Sequence, residues 1–94
     1  MGFKAAKSAL IKALKNGDFQ HEARGSITVK NLLATGQVTP QEVISIVARC
    51  DGSHHSCSEH HQVKGVDVHL IKYSGWYVKF YVIAPDVWFI SVHQ

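Results

Sequence analysis

The stretch from Cys50 to Gln62, CDGSHHSCSEHHQ, holds both cysteines and four of the chain's seven histidines within thirteen positions. Three chemistries are open to it. Imidazole and thiolate are the usual zinc ligands. Imidazole is also the general acid and base of neutral pH. The third reading is a solvated loop whose imidazoles cap helix ends and bond to backbone. Cys50, His54, His55, Cys57, His60 and His61 are the donors available to a metal, but their spacing is poor. Structural zinc sites bring ligands in close pairs on separate turns. Here six residues separate the cysteines, and His54-His55 and His60-His61 are adjacent doublets. Neighbours on an extended chain point in opposite directions, so at most one of each doublet reaches a shared ion. The expectation is no metal and no other cofactor, with a zinc-binding protein kept as an alternative.

Acid–base residues also lie outside the stretch. HEARG carries His21 and Arg24, and a guanidinium in such a position contacts phosphate bidentately. VDVHLIKY carries His69, WYVK carries Tyr77 and Lys79, and ISVHQ carries His93. Cleavage of RNA by its own 2′-hydroxyl needs few parts. A base takes the 2′ proton, an acid protonates the leaving 5′ oxygen, and a cation or donor stabilises the phosphorane. A sheet face that exposes His, Tyr and Lys supplies all three without a carboxylate pair.

The elements that must position these residues are legible in outline. FKAAKSALIKALK, residues 3 to 15, predicts a helix from its Ala, Leu and Lys content and the helical spacing of Phe3, Ala6, Leu10 and Leu14. Lys4, Lys7, Lys12 and Lys15 fall mostly outward, and Asn16-Gly17 supplies a left-handed stop. Residues 18 to 26 read as a connection. A short helix is expected from about Thr28 to Thr35, stopped by Gly36. Thr39 is an N-cap, with Pro40 at the first helical position and Glu42 completing a capping box. Val43, Ile44, Ile46 and Val47 form the buried stripe of that helix, and Asp51-Gly52 ends it. From Val66 the period becomes two. Val66, Val68 and Leu70 share one face, and Asp67, His69 and Ile71 the other. VDVHLIKY, GWYVKFYVIA and VWFISVHQ predict three strands, separated by turn chemistry at 74–75 and 84–86. A fourth is expected around Glu59 to Val63. Trp76 and Trp88 read as core rather than as base-stacking platforms. The fold class is α+β, with N-terminal helices packed on one face of a C-terminal antiparallel sheet of three to four strands.

At 94 residues the chain reads as one domain, 46% hydrophobic and 18% charged, the composition of an ordinary globular protein rather than a disordered one. A net charge of +3 leans weakly toward polyanionic partners. No secretory leader or membrane span is evident, so a cytoplasmic location and reduced thiols are expected.

GWYVKFYVIAPDVWFISVHQ, residues 75 to 94, resembles the closing hairpin of the MqsR family of bacterial toxin ribonucleases, whose chains end in a Tyr-x-Lys strand, a short turn and a Val-Ser-Phe-Lys strand. AAKSALIKALKNGDF is similar to the family's first helix and turn, LLATGQVTPQEVISIVARC to its second helical region, and VDVHLIKY to its Asp-Val-Tyr strand. The order of elements covers nearly the whole chain, and the wider RelE-like toxins share it. The resemblance places Tyr77 on the family's catalytic tyrosine. It puts His93 where the family has one lysine and His54 near another, and Val66 replaces a glutamine. It implies a metal-independent endoribonuclease toxin that cuts single-stranded RNA and is neutralised by a cognate antitoxin. His93, Tyr77, His54 and His60 are its candidate catalytic residues. Lys79, Arg24, His69, His21, His55 and His61 are candidates for RNA or phosphate binding. RNA and an antitoxin are the implied partners, with no membrane. A non-catalytic interaction module of immunity or antitoxin type, using the same sheet face, is the rival class.

Overall fold

A computed structural model describes residues 1–22 and 31–94 of the chain. Helix α1 spans Phe3–Asn16, strand β1 Phe19–His21, and helix α2 Pro40–Ala48. A 3-10 turn at Gly52–His54 leads into β2 at His55–Glu59, followed by β3 at Asp67–Tyr73, β4 at Trp76–Ile83 and β5 at Asp86–His93. The five strands form one sheet in the order β1-β5-β4-β3-β2. β1 runs parallel to β5, and the other neighbours are antiparallel. The fold is α+β, with two strands more than the three clear sequence signals. None of its described helices is long and apolar enough to cross a membrane.

Both main helices form for local reasons. Gly17 takes the left-handed conformation (φ 79°) and its amide closes α1 on the Ala13 carbonyl. In α2 the Thr39 hydroxyl accepts from the Glu42 amide, and the Glu42 carboxylate accepts from the Thr39 amide. Ala6, Leu10, Ala13 and Leu14 of α1 and Val43 and Val47 of α2 are buried against Ile71, Val78, Phe80, Val87, Phe89 and Val92 of the sheet. Ile44 packs at the margin of this core, and Ile46 is only half-buried. Trp76 packs only at the margin, half-buried, and Trp88 is half-buried in the second cluster against Tyr81, so neither lies in the main core where the sequence reading put it. Lys7 does not simply face water. Its Nζ donates to the carbonyls of Ala48 (3.0 Å) and Cys50 (2.9 Å), closing the C-terminal end of α2.

Three expected elements differ. The connection at 18–26 contains β1, whose Phe19 and His21 pair with Val87 and Phe89. Three residues carry no measurable period, so only the tertiary pairing reveals this strand. The expected helix at 28–35 is not helical over its described part. Asn31 bridges to Val92, and residues 32–36 are turns. The Asn31 side chain accepts from the Ala34 amide, and the Leu32 amide donates to the Val92 carbonyl (2.7 Å). Only isolated turn bonds, Thr35 amide to Asn31 carbonyl and Gly36 amide to Leu33 carbonyl, remain of a helical ladder there, beside these side-chain and sheet bonds. The fourth strand lies at 55–59 rather than 59–63, because His60 ends it. The His60 Nδ1 accepts from the amides of Gln62 (3.0 Å) and Val63 (3.2 Å) and folds the chain into a turn.

The sheet has a helix face and an outer face. On the outer face Val68, Tyr81 and Ile90 form a second small cluster with Val66 and Trp88, and the His60 ring packs edge-on to Tyr81 at 4.9 Å. The β4–β5 ladder is interrupted once. Phe80 pairs with Phe89, but Lys79 pairs with Ser91, so Ile90 is an extra residue in β5.

Candidate active site

The bulge decides where His93 points. The turn at Ala84-Pro85 pairs Ile83 with Asp86, and a regular ladder from that point would set Val92 opposite Tyr77. With one extra residue in β5, His93 stands opposite Tyr77 instead, on the outer face. The two rings stack at 4.7 Å with 16° between their planes. The Ser74-Gly75 hairpin, with both residues at positive φ (51° and 82°), pairs Tyr73 with Trp76 and hence Lys72 with Tyr77. The Lys72 ammonium lies 5.9 Å from the Tyr77 ring centre.

His54 reaches the same place from the 3-10 turn, where its ring meets Tyr73 edge-on at 4.9 Å. His54, Lys72, Tyr73, Ser74, Tyr77 and His93 line an open concavity of about 480 Å³. No Asp or Glu side chain is among its described lining residues. The concavity sits at the hairpin end of the sheet, where side chains from the loop, β3, β4 and β5 converge.

Hydrogen bonding distinguishes the two imidazoles. The Asp51 amide can only donate, and it donates to His54 Nδ1 at 3.0 Å. In its neutral form His54 therefore carries its proton on Nε2. The Asp51 carboxylate lies 3.3 Å from the same Nδ1. The hydroxyl and amide of Ser53 hold that carboxyl below the usual range, so it stays charged. His93 has the opposite arrangement. Its Nδ1 lies 3.2 Å from the Gln94 carbonyl oxygen, which can only accept. The Nδ1 of His93 thus bears the proton, and Nε2 offers a lone pair.

The remaining candidates lie elsewhere. Lys79 is on the outer face one step further along, opposite Ser91 and Leu70, and half-buried. His60 is also toward the outer face, but it is buried against Tyr81 with Nε2 3.7 Å from Glu22, four residues along β4 from Tyr77. His61 is exposed in the turn after β2. His55 and His69 belong to the helix face. His55 Nε2 and His69 Nδ1 share a hydrogen bond of 2.9 Å, His69 stacks on Phe80, and Phe3 packs on His55. Burial, and then the neighbouring His55, push the His69 imidazole below its usual pKa. His21 packs on Phe89 from the same face, bonds to Asn31 at 3.1 Å, and is likewise lowered by burial. Arg24 lies outside the described residues.

The structure thus brings together His54, Tyr77 and His93, and sets His55, His69 and His21 on the opposite face. The donors of the Cys50–Gln62 stretch are dispersed in the same way. Cys50 is buried and directs its thiol to the Ile46 carbonyl, and burial raises the pKa of both thiols. Among the described residues no group of three or more His, Cys, Asp or Glu side chains is placed to hold a metal ion. Lys72 is the residue that sequence reasoning missed. The signal was present, since a two-residue turn at Ser74-Gly75 sets Lys72 opposite Tyr77 by counting alone.

The chain was compared with protein-family models, with curated proteins and with solved structures, and no match was found in any of the three.

Proposed function

We propose that the chain is a metal-independent endoribonuclease that cleaves single-stranded RNA by attack of the 2′-hydroxyl on the adjacent phosphate. The observation that carries this reading is the convergence of two imidazoles of opposite proton arrangement, with Tyr77 and Lys72, on one open concavity. His93 Nε2 takes the 2′-hydroxyl proton as O2′ bonds to phosphorus. The P–O5′ bond breaks, and protonated His54, whose Nδ1 then donates to the Asp51 carboxylate instead of accepting from the Asp51 amide, gives its Nε2 proton to O5′. The products are a 2′,3′-cyclic phosphate and a 5′-hydroxyl. Lys72 supplies positive charge to the phosphorane, and the Tyr77 hydroxyl supplies a donor. Lys79, further along the outer face, supports the neighbouring phosphate. The resemblance to MqsR-like toxins supports the same reading and adds a cognate antitoxin as the natural inhibitor.

The test is cleavage of a long single-stranded RNA in excess chelator by the wild type, His93→Ala, His54→Ala and Tyr77→Phe. General acid and base groups contribute about 10²–10⁴-fold each. Losses of that size in both histidine variants, with cyclic phosphate found on wild-type products by mass spectrometry, support the assignment. A wild type that leaves RNA intact at micromolar enzyme would move the reading to an interaction module on this face.

A further inference from the structure

The sheet ends in an unguarded edge. β2, with the sequence HSCSE, is the terminal strand, and among the described residues no strand pairs with its outer side. Ser56, Cys57, Ser58 and Glu59 are exposed. Natural edges are usually protected by lysine, proline or a bulge. β2 has no lysine or proline, and its register with β3 is unbroken over all five residues.

The direction of its free backbone groups follows from one bond. The His60 amide donates to the Val66 carbonyl at 2.8 Å, and this pair continues the β2–β3 register by one step. In an antiparallel ladder, hydrogen-bonded pairs alternate with non-bonded ones. Ser58 and Ser56 therefore share the bonded phase with His60. The amides and carbonyls of Cys57 and Glu59 and the carbonyl of His55 point away from β3, to the open side, while the His55 amide donates to the Gly52 carbonyl.

We propose that this edge pairs with the same edge of a second copy of the chain, antiparallel and centred on Cys57, to make a continuous ten-stranded sheet. The strand is complementary to itself in that register. Cys57 meets Cys57 of the second copy, each Ser56 meets a Ser58, and each His55 meets a Glu59, all on shared faces. The two imidazole–carboxylate pairs select this register over a slip by one residue, which would leave both Glu59 side chains without a basic partner. His55 already uses Nε2 toward His69, so Nδ1 is the atom that faces Glu59 of the second copy. The proposal is independent of any catalytic role for the outer face.

The experiment is sedimentation velocity on the full chain from 1 µM to about 1 mM, with reductant present so that Cys57 stays a thiol. The wild type should show a concentration-dependent dimer. Cys57→Pro removes an amide that points outward and leaves the β3 ladder bonds intact, so it should be monomeric. Glu59→Lys replaces the acceptor opposite His55 by a group that can only donate and should weaken the dimer at least tenfold. Circular dichroism reports whether each variant folds, and Glu59→Lys decides alone if Cys57→Pro does not. A wild type that stays monomeric across the range overturns the proposal, as does a dimer unchanged by Glu59→Lys. A monomeric chain that instead adds a strand from another protein would count as the former.

Discussion

Lys7 joins the two helices, and its removal has a magnitude that can be worked from the structure. Its ammonium donates to the carbonyls of Ala48, the last residue of α2, and Cys50, just beyond it, and also lies 5.7 Å from the Phe3 ring centre. A charged donor contributes roughly 1.5–3 kcal/mol per bond where water is excluded. One of these bonds is exposed and the other part-buried, so solvent screening brings each to about 0.5–1 kcal/mol. A cation at a helix C-terminus adds about 0.3–1 kcal/mol. Lys7→Met keeps the stem and a similar helix propensity while removing the charge. The expected cost is near 2 kcal/mol, or a melting temperature lower by roughly 8–16 °C in a domain of this size. Lys7→Arg should recover most of it. The assay is thermal unfolding followed by far-ultraviolet circular dichroism. The contact also bears on the site, because Cys50 precedes the Asp51 turn that holds His54. On the proposed function, RNA cleavage by Lys7→Met should therefore fall roughly tenfold through misplacement of that ring. A melting temperature within 2 °C of wild type would show that α2 is held by packing alone and refute the reasoning.

Three further outcomes are expected. Burial and His55 depress the His69 pKa below 6.5, so below that pH the unfolded chain binds more protons than the folded one. Stability is then complete above about pH 6.5 and declines as pH falls from there toward the lowered native value, with His21 contributing in the same direction; a urea midpoint at pH 5 equal to that at pH 7.5 would contradict this. His60→Leu leaves the Gln62 and Val63 amides without their acceptor and should cost about 2–4 kcal/mol in urea unfolding, with little loss of binding at the concavity. Deleting Ser91 removes the extra residue of β5 but leaves His93 opposite Tyr77, so ring-to-ring nuclear Overhauser contacts should survive; their loss would show that the bulge itself holds the rings together.

How much of this was legible in the sequence depends on how local each signal is. The caps of α1 and α2 and the three C-terminal strands were readable because capping boxes, an Asn-Gly stop and period-two alternation act over a few residues. β1 was not, because it has three residues and exists only through its pairing with β5. The alternation of β3 was read correctly, yet it does not say which face the helices cover. His69 therefore looked available for RNA, whereas it is a buried member of the helix-face core. His60 carried a catalytic expectation because of its type and loop. In the structure it accepts from the Gln62 and Val63 amides at the end of β2 and packs edge-on to Tyr81.

The catalytic proposal rests on one feature that counting from the turn alone does not give. Counting back from the turn at 84–85, a regular hairpin would direct His93 to the helix face and Val92 to solvent. The alternative is a bulge, and burial decides between them. Val92 is fully buried and His93 half-exposed in the bulged register, while the regular one would bury an imidazole and expose a valine. Burying a valine side chain contributes about 1.5–3 kcal/mol, and an unpaired polar ring in the core costs a similar amount. Together these outweigh the one unpaired residue that the bulge leaves in the ladder. The hydrophobic demand of Val92 thus carries His93 onto Tyr77. The same preference that completes the core assembles the concavity, and no separate force is needed to bring the two rings together.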